Sequence, residues 1–302
     1  MVKEDKVIFL KNPNEVLEHL IKNFVNTSEI NRRTQLDYGM YFDEPLVGFA
    51  SGNDPLFHEY KNIIGSFHYT PGEIIEAALR EKSKGLFLAE TDRVSVISWI
   101  LPAQEDVRKS NRGETQLPSQ LWLYLKEFGE SCNNALRQHV VHYLEDLGYA
   151  AVAPASLPSV VSFRDDKVGW ASAWSERHVA YACGLGTFGL SDGLITPKGK
   201  AVRIGSVVTN LKLAPSERRY RQAKENCLFF RNEKCGKCIQ RCPVGAITEK
   251  GHDKDKCREY LHSEPMLSRR SEYGPQQLSS ACGLCQTRVP CEFQIPRPDL
   301  IA

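Results

Sequence analysis

Long apolar runs and an excess of charge of either sign are both missing from this 302-residue sequence. No stretch approaches the roughly 18 consecutive apolar residues of a membrane-spanning helix, so we expect no membrane partner. The 39 basic and 37 acidic residues leave a formal charge of +2, which argues against a bulk nucleic-acid or lipid partner. The opening segment, MVKEDKVIFL, has no apolar signal core and no twin-arginine motif, so we expect a cytoplasmic protein.

Cysteine is the residue that this sequence concentrates in one place. Eight of the ten cysteines follow residue 225. Without an export signal disulfides are disfavoured, and clustered thiols then favour metal ligation. The candidate ligands are Cys227, Cys235, Cys238, Cys242, Cys257, Cys282, Cys285 and Cys291.

The spacing of these cysteines favours iron–sulfur clusters over zinc. The run Cys235–Pro243 (CGKCIQRCP) has the form C-x2-C-x3-C-P, and Cys282–Cys285 is a second C-x2-C pair. A Cys-Pro ending is typical of two-cluster ferredoxins, in which that cysteine ligates the other cluster. Zinc would favour separate C-x2-C pairs without a third Cys-Pro thiolate. Eight thiolates fit two [4Fe–4S] clusters at four each, with zinc and disulfides as the weaker alternatives.

The same crossover logic divides the candidate ligands into two sets. In the usual bacterial run a cysteine lies three residues before the position of Cys235, but here that residue is Asn232, and Cys227 is the obvious substitute. A loop of that length can reach at small entropic cost. Otherwise the first site would hold a three-cysteine cluster. The first thiol set is Cys227, Cys235, Cys238 and Cys291. The second thiol set is Cys242, Cys257, Cys282 and Cys285.

The remainder of the chain predicts an α/β (α+β) body in front of the cysteine-rich tail. A basic stretch at 216–224 (SERRYRQAK) has the composition of a solvated linker. We therefore expect a cofactor- and substrate-binding body at 1–215 and a two-cluster domain at 216–302. The sequence predicts helices at 118–147 and 176–182, apolar strands at 94–101 and 202–211, and a strand with a proline-interrupted loop at 150–161.

A glycine-rich turn follows the helix predicted at 176–182. Its sequence, GLGTFG, matches G-x-G-x-x-G, but a dinucleotide site needs a strand before the glycines and a helix after them. Here a helix precedes the turn and a strand follows it. Because glycines allow close backbone approach, we expect the turn to lie against a large planar ligand. The candidate cofactor-binding residues are Gly184, Leu185, Gly186, Thr187, Phe188 and Gly189.

Taken in order, these motifs resemble the corrinoid-dependent iron–sulfur reductases, the family of epoxyqueuosine reductases and reductive dehalogenases. The resemblance covers 150–296 well and the first 150 residues loosely. The series comprises ACGLGTFGL at 182–190, IGSVVTNL at 204–211, CGKCIQRCPVGAI at 235–247, KCREYL at 256–261 and ACGLCQ at 281–286.

This resemblance implies a nitroreductase-like body that holds cobalamin, followed by a ferredoxin-like domain with two [4Fe–4S] clusters. Electrons would pass from an external ferredoxin or flavodoxin through the clusters to the corrinoid. The corrinoid would reduce an electrophilic substrate, either a small molecule or a modified nucleoside. The polypeptide would supply orientation, a dry pocket and a proton donor.

One departure from the family pattern affects the proton donor. Epoxyqueuosine reductases carry a proton-donating aspartate upstream of the glycine turn, at the position that matches Trp170. Because this chain has tryptophan there, a tRNA-modifying assignment is weakened. Glu176, His178 and Tyr181 are the candidate catalytic residues instead, since they lie within a turn or two of the glycines. Two alternatives stay open: an electron-transfer protein without a corrinoid, and a flavin in the place of cobalamin.

Overall fold

Helices and antiparallel strands alternate along the described part of the chain. The computed structural model describes residues 9–81, 93–232, 235–273 and 281–298. The mixed α/β composition expected from the sequence is confirmed. The strands are β1 (Leu46–Ser51), β2 (Ser95–Pro102), β3 (Ala151–Val152), β4 (Ser162–Asp165), β5 (Gly169–Ser172), β6 (Thr187–Phe188), β7 (Leu194–Ile195), β8 (Val202–Thr209), β9 (Ile247–Thr248) and β10 (Gly251–His252).

The helices vary widely in length, and none of those described is both long and apolar enough to cross a bilayer. The helices are α1 (Pro13–Thr27), α2 (Pro55–Ile63), α3 (Pro71–Glu81), α4 (Glu105–Arg112), α5 (Gln120–Asp146), α6 (Glu176–Ala182), α7 (Leu228–Asn232), α8 (Lys237–Gln240), α9 (Lys254–Leu261) and α10 (Glu264–Tyr273).

A four-stranded antiparallel sheet, ordered β1–β2–β8–β3, forms the centre of the fold. Its strand β2 is apolar on both faces because both faces are covered by helices. Ile97, Trp99 and Leu101 pack on one face with α5, whereas Val96 and Ile100 pack on the other face with α2, α3 and α6. The sheet therefore separates two hydrophobic cores. The strands predicted at 94–101 and 202–211 are confirmed as β2 and β8.

Helix α5 confirms the helix predicted at 118–147 and positions several site residues. The Ser119 hydroxyl caps its first turn by accepting a hydrogen bond from the Trp122 backbone N–H. Buried Asn133 ties the helix to the sheet: its Oδ1 accepts from Trp99 Nε1 at 2.9 Å, and its Nδ2 donates to the Ile204 carbonyl at 3.1 Å. The register of α5 on β2 and β8 is thereby fixed.

The segment 150–161, predicted as a strand with a proline-interrupted loop, contains a strand of two residues followed by a turn. Only Ala151–Val152 pairs with β8, and Pro154–Ser156 forms a 3₁₀ turn. A proline has no backbone N–H for a strand ladder, so pairing stops before Pro154.

The stretch 216–224 is not a free linker, because its first half is fastened to the body. Ser216 and Phe49 exchange hydrogen bonds of 2.9 Å: the Ser216 N–H donates to the Phe49 carbonyl, and the Phe49 N–H donates to the Ser216 hydroxyl. The Arg218 guanidinium pairs with Asp54 and also donates to the Ala182 carbonyl.

The cysteine-rich tail packs against the earlier part of the chain at several places. Leu190 and Ile195 form one hydrophobic cluster with Cys227, Cys238 and other residues of the tail. Elsewhere the buried Glu292 carboxylate pairs with Arg112 of α4 at 2.8 Å and with Arg108 at 3.3 Å. A domain boundary at 215/216 stays a prediction, and the described parts on either side of it are in contact.

Candidate functional site

All four thiols of the first thiol set border one small cavity with an apolar wall. Leu190 and Ile195 supply part of that wall, and Cys227 and Cys238 are buried within it. Cys227 thus lies where the missing fourth ligand was expected. The cavity measures about 20 Å³.

All four thiols of the second thiol set border a larger cavity of about 500 Å³, which we name the charged cavity. Helix α9 contributes Cys257, and Cys242 Sγ accepts a hydrogen bond from the Ala246 N–H at 3.1 Å. The turn between Cys282 and Cys285 is possible because Gly283 adopts a positive φ of 64° against the Trp122 ring, where a Cβ would clash. The division of the thiols matches the crossover prediction, and ligation itself stays a prediction.

The buried thiols favour their protonated form when no metal is bound. Burial raises the pKa of Cys238 to about 12, that of Cys257 to about 11 and that of Cys282 to about 12. Metal binding at such sites must release protons, because the thiolate is the ligand. Within the described ranges no three His, Cys, Asp or Glu side chains converge to hold a single metal ion. Each thiol set surrounds a cavity instead.

A lysine that the sequence analysis missed lies between the two thiol sets. Lys200 is 3% exposed, borders both cavities, and donates from Nζ to the Ser191 hydroxyl at 2.9 Å. Burial alone lowers the pKa of Lys200. The thiols of Cys291, Cys238 and other cysteines together raise it by a larger amount, so the net shift is upward. A buried ammonium therefore lies beside both candidate clusters.

The side of the charged cavity formed by α5 and α6 carries an incompletely paired ion network. Arg137 pairs with Glu130 at 2.8 Å and with Glu176 Oε1 at 3.5 Å. Arg137 Nε and Glu176 Oε2 are buried without a hydrogen-bond partner among the described residues. Burial raises the pKa of Glu176, and the opposing effect of Arg137 is smaller. Glu176 is therefore a carboxyl group that retains its proton to a higher pH than usual.

The glycine turn does not present a free face to a ligand at its first two glycines. A Cβ on Gly184 would meet the Glu217 carbonyl at 2.8 Å, and one on Gly186 would meet the Ile195 carbonyl at 2.5 Å. The close approach that these glycines allow is therefore an approach of the chain to itself. Leu185 and Thr187 are buried.

Phe188 and Gly189, the last two residues of the turn, border a second cavity of about 670 Å³, which we name the aromatic cavity. Its walls also include Tyr60, His178 and Tyr181. Glu176 borders the charged cavity instead. Successive helix positions are about 100° apart, so residues 176 and 178 of α6 point in nearly opposite directions, whereas 178 and 181 share a face. The three candidate catalytic residues are thus divided between two cavities.

His178 is a neutral imidazole in this setting. Burial and the charge of Arg177 lower its pKa to about 3, and its Nδ1 lies 2.8 Å from the Ser175 hydroxyl. The Tyr60 hydroxyl donates to the His178 carbonyl at 2.8 Å. An imidazolium that donates a proton near pH 7 is not available at this position.

Trp170 borders the aromatic cavity and is covered by a cation. The Arg258 guanidinium of α9 lies 3.7 Å from the centre of its ring. The β4–β5 hairpin is fastened to α9 at a second point, where Arg164 and Asp255 pair at 2.8 Å. At the position expected to match the family's aspartate, the structure therefore has an indole ring covered by a guanidinium.

The sequence comparisons find a resemblance to epoxyqueuosine reductases over part of the chain. No family model matches the chain. Two curated epoxyqueuosine reductases, from Bacillus anthracis and Bacillus cereus, are each 29% identical to it over 119 residues. The match covers 38% of this chain and 29% of each relative, so most of each relative's length lies outside it. The resemblance to this family that the motifs predict is confirmed.

Solved structures of the same two enzyme types resemble the chain at low identity. An epoxyqueuosine reductase with an epoxyqueuosine-modified tRNA-Tyr stem loop has a TM-score of 0.46 and 17% identity, over 96% of this chain and 69% of that chain. A catabolic reductive dehalogenase in complex with 3-bromo-4-hydroxybenzoic acid has a TM-score of 0.49 and 16% identity, over 93% and 37% of the two chains.

Proposed function

We propose that this chain is an iron–sulfur reductase in which two [4Fe–4S] clusters pass electrons to a corrinoid that reduces an electrophilic substrate. The observation that carries the proposal is the arrangement of eight thiols as two sets of four, with a ligand-sized cavity at the second set. The resemblance to epoxyqueuosine reductases supplies the corrinoid. The same proposal includes a ferredoxin or flavodoxin as electron donor and a small molecule or modified nucleoside as substrate. It also includes a nitroreductase-like body followed by a ferredoxin-like tail.

The donor atoms at the charged cavity fit both a [4Fe–4S] cluster and a corrinoid. Soft thiolates select iron–sulfur clusters, and the second thiol set offers four of them. The unpaired Arg137 Nε and Glu176 Oε2 suit the amide-bearing rim of a corrin, which offers both donors and acceptors. When bound, a corrinoid supplies low-potential electron transfer to an electrophilic carbon. At Gly184 and Gly186 the glycine turn is closed by its own chain, so only Phe188 and Gly189 remain as its residues beside a cavity.

Glu176 is the proposed proton donor on this cavity. Its raised pKa keeps the carboxyl protonated closer to neutral pH, and Arg137 holds its Oε1. His178 and Tyr181 lie on the aromatic cavity, where we propose that they shape a site for the substrate. Arg177 borders both cavities and is held by a 2.6 Å hydrogen bond from its guanidinium to the Asp192 carbonyl.

Iron content and low-temperature paramagnetic resonance test the cluster assignment. Anaerobically prepared protein should hold about eight iron atoms per chain and give a signal after dithionite reduction. Cys238→Ser and Cys285→Ser should each remove one cluster and leave the other. Cys132→Ser is the matched control, because Cys132 is buried in the body outside both thiol sets. Wild-type protein with neither iron nor a signal would contradict the proposal.

A second candidate function is electron transfer without a corrinoid, and two observations favour it. Trp170 stands where the family's aspartate is expected, and the glycine turn is closed by its own chain. Adding hydroxocobalamin or a flavin to iron-loaded protein distinguishes the candidates. A corrin spectrum that stays with the protein through gel filtration supports the reductase, a retained flavin spectrum supports a flavin in its place, and a cluster spectrum alone supports the electron carrier.

A further inference from the structure

An open groove of about 720 Å³, which we name the basic groove, lies on the surface beside the first thiol set. It shares the wall residues Lys237, Val289 and Pro290 with the small cavity that the first thiol set borders. Lys237 directly precedes Cys238, and Pro290 directly precedes Cys291. The basic groove is therefore separated from the first thiol set by a wall that is one residue thick at these positions.

Basic side chains outnumber acidic ones around this groove. Its described walls carry four basic side chains and one acidic side chain, which are Arg112, Lys237, Arg241, Arg288 and Glu292. The chain segments that contain the wall residues, 105–115, 235–241 and 288–298, hold seven basic and four acidic residues in all. The excess of positive charge therefore remains when the acids beside the groove are counted with those in its walls.

The basic side chains of the groove fall into two kinds. Arg241 donates hydrogen bonds to four backbone carbonyls, and Arg112 pairs with the buried Glu292 carboxylate at 2.8 Å, so both hold the tail to the body. Arg288 is exposed and Lys237 is half-buried, and neither side chain forms a hydrogen bond or an ion pair with another residue that the structure describes. These two cations are the ones that a partner can contact.

An exposed aromatic ring lies in the same groove. Phe293 is 46% exposed, and the guanidinium groups of Arg108 and Arg112 lie 5.2 Å and 5.8 Å from the centre of its ring. Protein interfaces commonly have an aromatic residue or an arginine at their centre and a polar rim around it. A fixed ring with cations beside it suits contact with another protein.

We propose that the basic groove is the docking surface for a small acidic electron-carrier protein that reduces the cluster of the first thiol set. An acidic face on the carrier complements the groove, and opposite charges accelerate the encounter of the two proteins. The carrier loses one electron and the cluster gains it, and no bond forms or breaks. The inference deepens the proposed function and rests on the part of it that assigns a cluster to the first thiol set.

Basic surfaces also bind the phosphates of RNA, but the position of this groove favours the carrier. An RNA substrate would have to place its reacting base in the charged cavity. The basic groove shares no described wall residue with that cavity, whereas it shares three with the cavity of the first thiol set.

Anaerobic stopped-flow reduction of iron-loaded protein tests the inference, with a reduced plant-type ferredoxin as the acidic probe. The groove variants are Arg288→Glu and, at an exposed wall position, Gln240→Lys. We expect Arg288→Glu to lower the second-order rate constant about tenfold at low ionic strength, and Gln240→Lys to raise it about threefold. High salt should remove most of both effects, because it screens exposed charges. Arg219→Glu is the matched control, because it makes the same charge change at an exposed position outside the groove.

Reduced methyl viologen supplies the second measurement, because this small cation needs no acidic face to react. It should reduce the groove variants at least as fast as the wild type. If Arg288→Glu fails to load iron, the gain expected for Gln240→Lys decides, since damage to the protein does not accelerate docking.

Two results overturn the inference while viologen reduction leaves the clusters of the proposed function standing. One is an equal ferredoxin rate for the wild type and the groove variants, and the other is an equal loss in Arg219→Glu. A stem-loop RNA that binds the wild type and not Arg288→Glu, with the ferredoxin rate unchanged, would assign the groove to RNA instead. Wild-type protein that holds no iron contradicts the proposed function, and the inference falls with it.

Discussion

Acidification should destabilise the fold through His68, a fully buried histidine that holds the start of α6. Its Nε2 accepts a hydrogen bond from the Ser175 N–H at 3.1 Å, which requires a neutral ring with the proton on Nδ1. That Nδ1 is buried without a partner in the described structure. Burial, reinforced by the charge of Lys61, lowers the pKa of His68 from 6.5 to about 4.

The size of the effect follows from linkage. The unfolded chain binds a proton at this position below about pH 6.5, whereas the folded chain does so only below about pH 4. The stability contributed by neutral His68 is therefore complete above pH 6.5 and is lost as the pH falls towards 4. A difference of this size corresponds to roughly 3 kcal/mol, since one pKa unit is about 1.4 kcal/mol.

Urea unfolding at pH 7.5 and pH 4.5 measures this contribution. The wild type should lose roughly 2–3 kcal/mol more than His68→Gln over that interval. His142→Gln is the control variant, because it makes the same substitution at an exposed position on α5. If His68→Gln and the wild type lose the same free energy of unfolding on acidification, the role given to His68 is refuted.

Three further substitutions test Lys200, the ion pair of Glu292 and the turn at Gly283. Lys200→Met should lower the midpoint potentials of both clusters by about 60 mV, because the loss of a nearby positive charge disfavours the more negative reduced state. Redox titration followed by paramagnetic resonance measures these potentials, and unchanged values would argue against the role given to Lys200. Glu292→Gln should lower the free energy of unfolding by about 3 kcal/mol, because Arg112 loses a buried partner. Urea unfolding that matches the wild type would show that the Arg112–Glu292 pair contributes little to stability. Gly283→Ala should remove iron from the second site alone, because the new Cβ meets the Trp122 ring at a positive φ; full iron content would disprove that reasoning.

Features that depend on local sequence were the ones that could be predicted. Thiol spacing alone predicted which cysteines border the same cavity, including Cys227 in place of the residue at position 232. Hydrophobic periodicity predicted α5, and a continuous apolar run ending at a proline predicted β2. The division of Glu176 from His178 could also have been foreseen, because it follows from helix geometry.

Features created by contacts between distant segments could not be predicted in the same way. Lys200 stands in a short loop, and only the fold places it between thiols that follow it by tens of residues. Lys126 and Arg203 are far apart in the chain and border the same cavity because α5 packs on β8. The closure of the glycine turn depends on Glu217, in a stretch whose composition resembled a solvated linker. One signal was available: a lysine or arginine inside an apolar strand, as in Val202-Arg203-Ile204, indicates a buried polar site.

Helix α9 lies between the two cavities. Cys257 faces the charged cavity, and the adjacent residue, Arg258, faces the aromatic cavity and covers Trp170. A ligand that displaces the helix as a whole would therefore move side chains in both cavities, so the two compartments are coupled through the backbone of α9.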